Sequence, residues 1–339
     1  MKLKTGAMVG QFRLEGELGR GGMGTVFRAT DLQAGRAVAL KAVQRSTHPI
    51  SVQRFVREAQ VVAGLKHPGI VGVHDAGVFG GVPCIVYELV EGGRTLDQAF
   101  AVLTLAERLE LVLEVADALA YVHEQGLVHR DVKPGNVLVD AEGRARLTDF
   151  GLVAGEDLER LTLTGRVLGT PAYMAPEQIA ADRDAVGAHS DVWALGVLLY
   201  EALTGSLPFE GDSPTEVMVR ACHSKPPPPS SASRQPPPPG ADAVCLRALA
   251  KAPEARFPHA GAFHAALAQV VAGTYASRSP VRWLAALTVI LGLTVTLVAL
   301  ATRSTPREPD PRSASRTPGD LAQLPPAPIE DKNWLLIGR

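Results

Sequence analysis

Cysteine is scarce: Cys84, Cys222 and Cys245 are the three in 339 residues, far apart, with no CxxC pair and no histidine cluster beside them. Such spacing offers no disulfide framework and fits a reduced, cytosolic setting. An excess of charge of either sign is missing too, since 34 Lys and Arg stand against 35 Asp and Glu for a formal net charge of −1. Without a long basic run no field draws in nucleic acid, and no nucleic-acid partner is expected. The first ten residues, MKLKTGAMVG, carry two lysines with no apolar core behind them, so no secretory signal is expected there. What the chain does have is 46% apolar residues, enough to bury one large core or two modest ones.

The most informative stretch runs from His129 to Asn136 and reads HRDVKPGN. It puts an acid, two bases and an amide into one turn of chain, the chemistry of a phosphoryl-transfer floor. Asp131 can accept a proton from a hydroxyl, Lys133 can neutralise charge on a transferred phosphoryl group, and Asn136 can hold a magnesium ion. A short His-Arg-Asp triplet alone is usually a solvated turn. Lysine two places on, asparagine three beyond that, and then DFG at Asp149 to Gly151 make chance a poor account.

With these motifs the chain resembles the eukaryotic-type protein kinases over roughly residues 12 to 270. Lysine two places after Asp131 is the serine/threonine form. The resemblance implies an α+β, two-lobed fold: a small antiparallel sheet with one main helix, then a larger, mainly helical lobe. It also implies ATP with Mg²⁺, or Mn²⁺ in its place, and protein substrates bearing Ser or Thr.

Residues 12 to 28, FRLEGELGRGGMGTVFR, alternate apolar and polar on both sides of a glycine cluster, which predicts a hairpin. Gly19, Gly21 and Gly24 match GxGxxG, where backbone N–H groups can approach phosphate oxygens. That pattern also opens dinucleotide sites, but those need a helix directly afterwards, and TVFRATD reads as a strand. By resemblance Leu18, Val26 and Ala39 surround adenine. Lys41, ending VALK, holds the α and β phosphates and pairs with Glu58 of the helical segment SVQRFVREAQVVAGL, whose apolar stripe is Phe55, Ala59 and Val62. Two more strands follow, joined at Gly80 and Gly81. In family register Tyr87 guards the back of the adenine pocket and makes it shallow, and Glu88 to Val90 form the hinge that meets adenine through its backbone.

Leu105 to Glu124 reads as a helix with Leu109, Val112, Leu113, Ala116 and Leu119 on its apolar face, and VLVDAEGRARLTDFG reads as a hairpin that presents Asp149. Asn136 and Asp149 are the magnesium ligands that the resemblance implies. Between DFG and APE the chain is polar and offers Thr162, Thr164 and Thr170. In family register Thr162 and Thr164 fall where activating phosphates occur, and Thr170 contacts Asp131 and Lys133. By the same resemblance Glu177 is expected to pair with Arg256. Ser190 reads as the N-cap of an all-round apolar helix closing at Gly205, and by resemblance this is the helix under the catalytic loop, with Asp191 turned back to hold the backbone near His129. The proline tracts from Pro226 to Pro239 suggest an exposed, extended loop, with helices resuming from Ala241 to about Val271.

Trp283 to Thr302 is uncharged for 20 residues, about 30 Å of helix, which is enough to cross a bilayer. Four arginines follow the segment and two precede it, which favours an inner tail, whereas the need for cytosolic ATP favours an outer one. The ATP argument decides the expectation: a kinase domain at 12–270 in the cytoplasm, a linker at 271–282, a single-pass helix at 283–302 in the cell membrane, and a short proline-rich tail at 303–339 outside. The expected activity is transfer of the ATP γ-phosphate to Ser/Thr hydroxyls in membrane-linked signalling, self-activated in a transient homodimer. The rival is a pseudokinase scaffold that only binds. It would lack one of Lys41, Glu58, Asp131, Asn136 or Asp149, and all five are present.

Overall fold

The computed structural model describes residues 3–21, 24–43, 56, 59–150 and 171–278. By its contacts the chain divides into two units, Met1–Pro280 and Val281–Arg339, and every described residue falls in the first.

The N-terminal half of that unit is one antiparallel sheet. Its strands are β1 (Met8–Val9), β2 (Phe12–Gly21), β3 (Gly24–Asp31), β4 (Arg36–Val43), β5 (Val73–Phe79) and β6 (Val82–Glu88), in the order β1-β2-β3-β4-β6-β5. Period-two alternation sends Phe27, Ala29, Val38, Leu40, Ala42, Cys84 and Val86 to one face, where they pack with Phe12 and Leu14. The other face follows from the register: Val26 lies opposite Lys41, Lys41 opposite Ile85, and Ala39 opposite Tyr87. This second face packs with Ala59 from a helical stretch at residues 59–63 and with Leu138 from below.

The larger lobe begins with β7 (Arg94–Thr95) and α1 (Leu96–Phe100), neither anticipated from the sequence, and continues with α2 (Leu105–Glu124). At the start of α2 the Thr104 hydroxyl accepts from Glu107 N–H, and the Glu107 carboxylate accepts from Thr104 N–H at 2.8 Å. Such reciprocal capping is worth roughly 1 kcal/mol and fixes the first turn. β8 (Val137–Val139) and β9 (Ala145–Leu147) form the expected hairpin and pair with β7. The remaining helices are α3 (Pro176–Ile179), α4 (Ala188–Thr204), α5 (Pro214–His223), α6 (Pro229–Ala232), α7 (Ala241–Ala248) and α8 (Ala260–Arg278).

Helix α4 is the centre of this lobe, with Val192, Trp193, Leu195, Val197, Leu198 and Leu199 wholly buried. Each such side chain contributes about 1.5–3 kcal/mol on burial. The helix closes on Gly205 at φ 76°, a left-handed conformation that glycine adopts without a Cβ penalty. Its start differs from expectation. Ser190 is not the N-cap, because α4 begins at Ala188 after Gly187 and Ser190 lies inside the first turn. There its hydroxyl accepts from the N–H of the N-cap residue Gly187 and donates to Glu177 at 2.7 Å, so it serves the helix end from the third helical position and a buried acceptor at once.

The proline tract also departs from a wholly extended loop. Pro229–Ala232 turns into α6, Pro229 and Pro238 are buried, and Ser230 is bound by the Asp242 carboxylate through both its hydroxyl and its N–H. Proline is tolerated at the first helical position, where its missing N–H costs nothing.

Among the described residues no helix is long and apolar enough to cross a membrane. The 283–302 segment, the 303–339 tail and the last four residues of the 271–282 linker lie outside them, while residues 271–278 continue α8.

Candidate active site

Asp191, on the first turn of α4, organises the loop that carries Asp131. One carboxylate oxygen accepts from His129 N–H at 2.8 Å, the other from Arg130 N–H at 2.8 Å. The first oxygen also meets His123 Nε2 at 2.9 Å. Because His123 Nδ1 accepts from Ala260 N–H at 3.1 Å, its Nε2 carries the proton and donates to Asp191. A carboxylate with three donors on it, 1% exposed, fixes the loop backbone and so lets Arg130 hold φ 68°. Gln178 completes the brace by donating to the Arg130 carbonyl at 2.8 Å.

Held this way, the loop brings its three polar side chains together. Lys133 Nζ lies 2.9 and 2.6 Å from the two Asp131 oxygens, and Asn136 Nδ2 donates to Asp131 Oδ2 at 2.9 Å and to the Asp131 carbonyl at 2.7 Å. Asp131 and Lys133 are each about a quarter exposed, so a substrate can reach them. Directly below, buried His129 accepts on Nδ1 from Asp131 N–H at 3.3 Å and makes a 3.1 Å bond from Nε2 to the Thr148 carbonyl. Both bonds suit the neutral ring, and burial pushes its pKa below the ordinary 6.5.

This predicts an acid-sensitive fold. The unfolded chain takes up a proton near pH 6.5 that the folded histidine refuses, so its contribution is complete above that pH and is lost as pH falls below it. Burial pushes the carboxyls of Glu114 and Glu201 up, and they act in the opposite sense. Urea midpoints between pH 7.5 and 5.5 are expected to fall in wild type and to fall less in His129→Gln. Equal slopes would exclude His129 as a source.

Above the loop, Lys41 on β4 reaches Asp149 Oδ1 at 2.8 Å, and the Tyr87 hydroxyl donates to that same oxygen at 3.1 Å. Asp149 stands at φ 57°, and Phe150 beside it packs against His129 with ring centroids 4.5 Å apart. Lys41 therefore meets the carboxylate assigned to the metal. Glu58, its other expected partner, lies outside the described residues, as do Thr162, Thr164 and Thr170.

The nucleotide end has a matching shape. A Cβ on Gly19 or Gly21 would meet no atom of the described residues within 4 Å, which leaves room there for a phosphate. Gly24 is required for another reason: a Cβ there would stand 2.1 Å from the Ala42 carbonyl oxygen on β4. Val26 and Ala39 share the face of the sheet that bears Lys41, and Leu18 stays 53% exposed at the rim. In the hinge the Glu88 N–H is taken by the Gly72 carbonyl at 2.8 Å, while the Val90 N–H has no hydrogen bond among the described residues. Val90 is thus the open donor.

Several residues here escaped the sequence reading. Leu138 on β8 packs, as Ala39 and Val90 do, against the buried cluster that includes Ile85 and Tyr87, and only the β8–β9 hairpin hinted at it. Arg146 on β9 grips Glu88 with two bonds of 2.9 and 2.8 Å and also reaches the Ile70 carbonyl, clamping the hinge. Its hydrogen bonds hold the Glu88 carboxyl below its ordinary 4.5. His123 had no motif to mark it.

The remaining predicted pair is Glu177 and Arg256, joined by bonds of 2.7 and 2.9 Å and both buried. Burial would raise the Glu177 carboxyl, but the bonds from Arg256 and Ser190 outweigh it and hold the group below 4.5. Arg256 also donates to the carbonyls of His189, Ala250 and Lys251.

Sequence comparison agrees with this geometry. Residues 12–265 match the family model for the protein kinase domain. The serine/threonine-protein kinase PknJ of Mycobacterium tuberculosis is 41% identical over 281 residues, covering 80% of this chain and 47% of that protein. The chain belongs to the protein kinase family. PknA of the same organism is 40% identical over 78% of this chain and 62% of its own length, and PknB of Mycobacterium leprae 39% over 78% and 43%. The kinase thus spans about half the length of the curated relatives it matches. Among solved structures, the PknI kinase domain of Mycobacterium tuberculosis superposes with a TM-score of 0.63 at 30% identity, over 79% of this chain and 100% of that one.

The kinase residues present fit a hard cation. With Asn136 Nδ2 spent on Asp131, its carbonyl oxygen is left as the ligand, and Asp149 Oδ2 has no hydrogen bond among the described residues. Two protein oxygens, with phosphate and water oxygens making up the rest, suit Mg²⁺. No larger cluster of His, Cys, Asp and Glu with metal-site spacing occurs among the described residues.

Proposed function

We propose that this kinase transfers the γ-phosphoryl group of ATP to serine and threonine hydroxyls of proteins. One observation carries the reading: Asp131 sits within hydrogen-bonding distance of both Lys133 and Asn136 on a loop that Asp191 holds rigid. Asp131 orients the acceptor hydroxyl and takes its proton. Lys133, 2.6 Å from that carboxylate, is placed to follow the charge onto the phosphoryl oxygens as the proton moves. Adenine enters between Val26 and Ala39 above and Leu138 below, bonding to the Val90 N–H. Lys41 holds the α and β phosphates. Bound at Asn136 and Asp149, Mg²⁺ or Mn²⁺ supplies charge neutralisation on the phosphates. Incubation with γ-labelled ATP and a generic protein substrate should give labelled phosphoserine and phosphothreonine. ATP binding without any transfer would favour the scaffold reading.

Self-activation follows from Arg130, whose backbone is fixed at both ends while its side chain is exposed and makes no ion pair with a described residue. A phosphate of about −1.5 to −2 charge on Thr162 or Thr164 would give it a partner beside Asp131 and order the segment, one copy of the kinase modifying another. Mass spectrometry of active wild type should find phosphate on one of these residues, and the Thr162→Ala, Thr164→Ala double variant should lose most activity. An unmodified segment with full activity in the double variant excludes the idea.

Membrane attachment rests on the uncharged run Trp283 to Thr302, with the kinase domain in the cytoplasm and the tail outside. The whole chain should pellet with membranes and resist carbonate extraction. Protease outside spheroplasts should trim the tail and spare the kinase domain, and digestion of that domain would reverse the orientation.

A further inference from the structure

Tyr87 occupies the place where bulk alone was expected to matter, yet its hydroxyl is not idle. The strand register explains where it points. Ala39 on β4 lies opposite Tyr87 on β6, and Lys41 lies opposite Ile85, so Lys41 and Tyr87 are diagonal neighbours on one face. Both side chains end on a single atom, Asp149 Oδ1, at 2.8 and 3.1 Å. The second oxygen, Oδ2, has no hydrogen bond among the described residues. Asp149 itself sits at φ 57°, a conformation an aspartate holds only when its surroundings fix it.

Resting on the kinase reading above, the geometry points to Tyr87 as a positioning residue for the metal: its hydroxyl and Lys41 together tether Asp149 Oδ1, which turns Oδ2 toward the cation. A carboxylate with one oxygen pinned by two donors has lost the rotation that would otherwise have to be frozen when the ion binds. The tether also couples two jobs. Side-chain size at position 87 sets the depth of the back pocket, and its hydroxyl sets the aim of the metal ligand, so an apolar residue of equal bulk would keep the first and lose the second.

Two variants separate these jobs. Tyr87→Phe removes the hydroxyl and keeps the ring, while Tyr87→Leu removes both. Mn²⁺ binding to the whole chain with a non-hydrolysable ATP analogue is followed by electron paramagnetic resonance, and analogue binding without metal by fluorescence. Both variants are expected to weaken Mn²⁺ by about tenfold, the lower value of one hydrogen bond to a charged group. Metal-free analogue affinity and the thermal midpoint of Tyr87→Phe should stay at wild-type values. In kinetics the Mg²⁺ concentration giving half-maximal rate should rise by a similar factor, with kcat at saturating Mg²⁺ nearly restored. Wild-type Mn²⁺ affinity in Tyr87→Phe, or a loss confined to Tyr87→Leu, would overturn the inference and leave the kinase reading standing. If the wild-type chain itself binds neither analogue nor Mn²⁺, both fall together.

Discussion

Replacing Asp131 by Asn is expected to lower phosphoryl transfer by about 10²–10⁴, the contribution of a positioned general base, while nucleotide affinity stays near wild type. The substitution is nearly isosteric. An amide oxygen at this place can still accept from Asn136 Nδ2, now 2.9 Å from Asp131 Oδ2, and the loop is held through its backbone by Asp191. What disappears is the proton acceptor and the negative charge that holds Lys133 at 2.6 Å. The adenine slot and Lys41 belong to other strands and are untouched. A radiolabel-transfer assay beside nucleotide titration reads both quantities. Wild-type turnover in Asp131→Asn would remove Asp131 from the reaction.

The second large effect is on stability. Arg256→Ala is expected to destabilise the kinase domain by about 3–5 kcal/mol, because it leaves a buried carboxylate without its counter-charge. Arg256 is 1% exposed and Glu177 7%, so solvent cannot replace the lost bonds. Three carbonyls, of His189, Ala250 and Lys251, would lose a donor in the same step, and the guanidinium would leave the face of Trp193, 5.0 Å away. A loss of this size is a large share of the 5–15 kcal/mol typical of a domain. Removing both charges, in Glu177→Gln with Arg256→Ala, should recover part of it, since the remaining amide costs less to bury. Urea denaturation of the two variants measures the difference. If the single variant matches wild type, the pair contributes nothing to the fold.

The candidate catalytic residues were legible because their chemistry dictates spacing along a single loop. Asp131, Lys133 and Asn136 fall within six positions, and a rigid loop can bring them together only in that order. Helix α2 was legible from its periodicity, with the expected bounds of Leu105 and Glu124 met. The hairpins at Gly80 and Gly81 and at β8–β9 were legible from glycine and alternation. Ser190 misled because a serine before an apolar run has the pattern of an N-cap, and nothing local reveals that Glu177, far back in the chain, takes its hydroxyl. The proline tract misled for a similar reason, since the burial of Pro229 and Pro238 depends on what α6 and α7 pack against.

The sequence by itself determined the candidate residues of the loop from His129 to Asn136 and most of the longer strands and helices, and the family resemblance supplied the pairing of Glu177 with Arg256. The loop residues are written in local spacing and the strands and helices in periodicity, signals that need no distant partner to be recognised. Only the tertiary structure decided which side chains share an atom. That Tyr87 and Lys41 meet on one oxygen of Asp149, that Arg146 clamps Glu88, and that His123 donates a hydrogen bond to Asp191 all follow from strand register and helix packing. Such contacts join residues tens of positions apart, and their geometry is set by backbone placement to within a fraction of an ångström. Composition and periodicity carry no record of it.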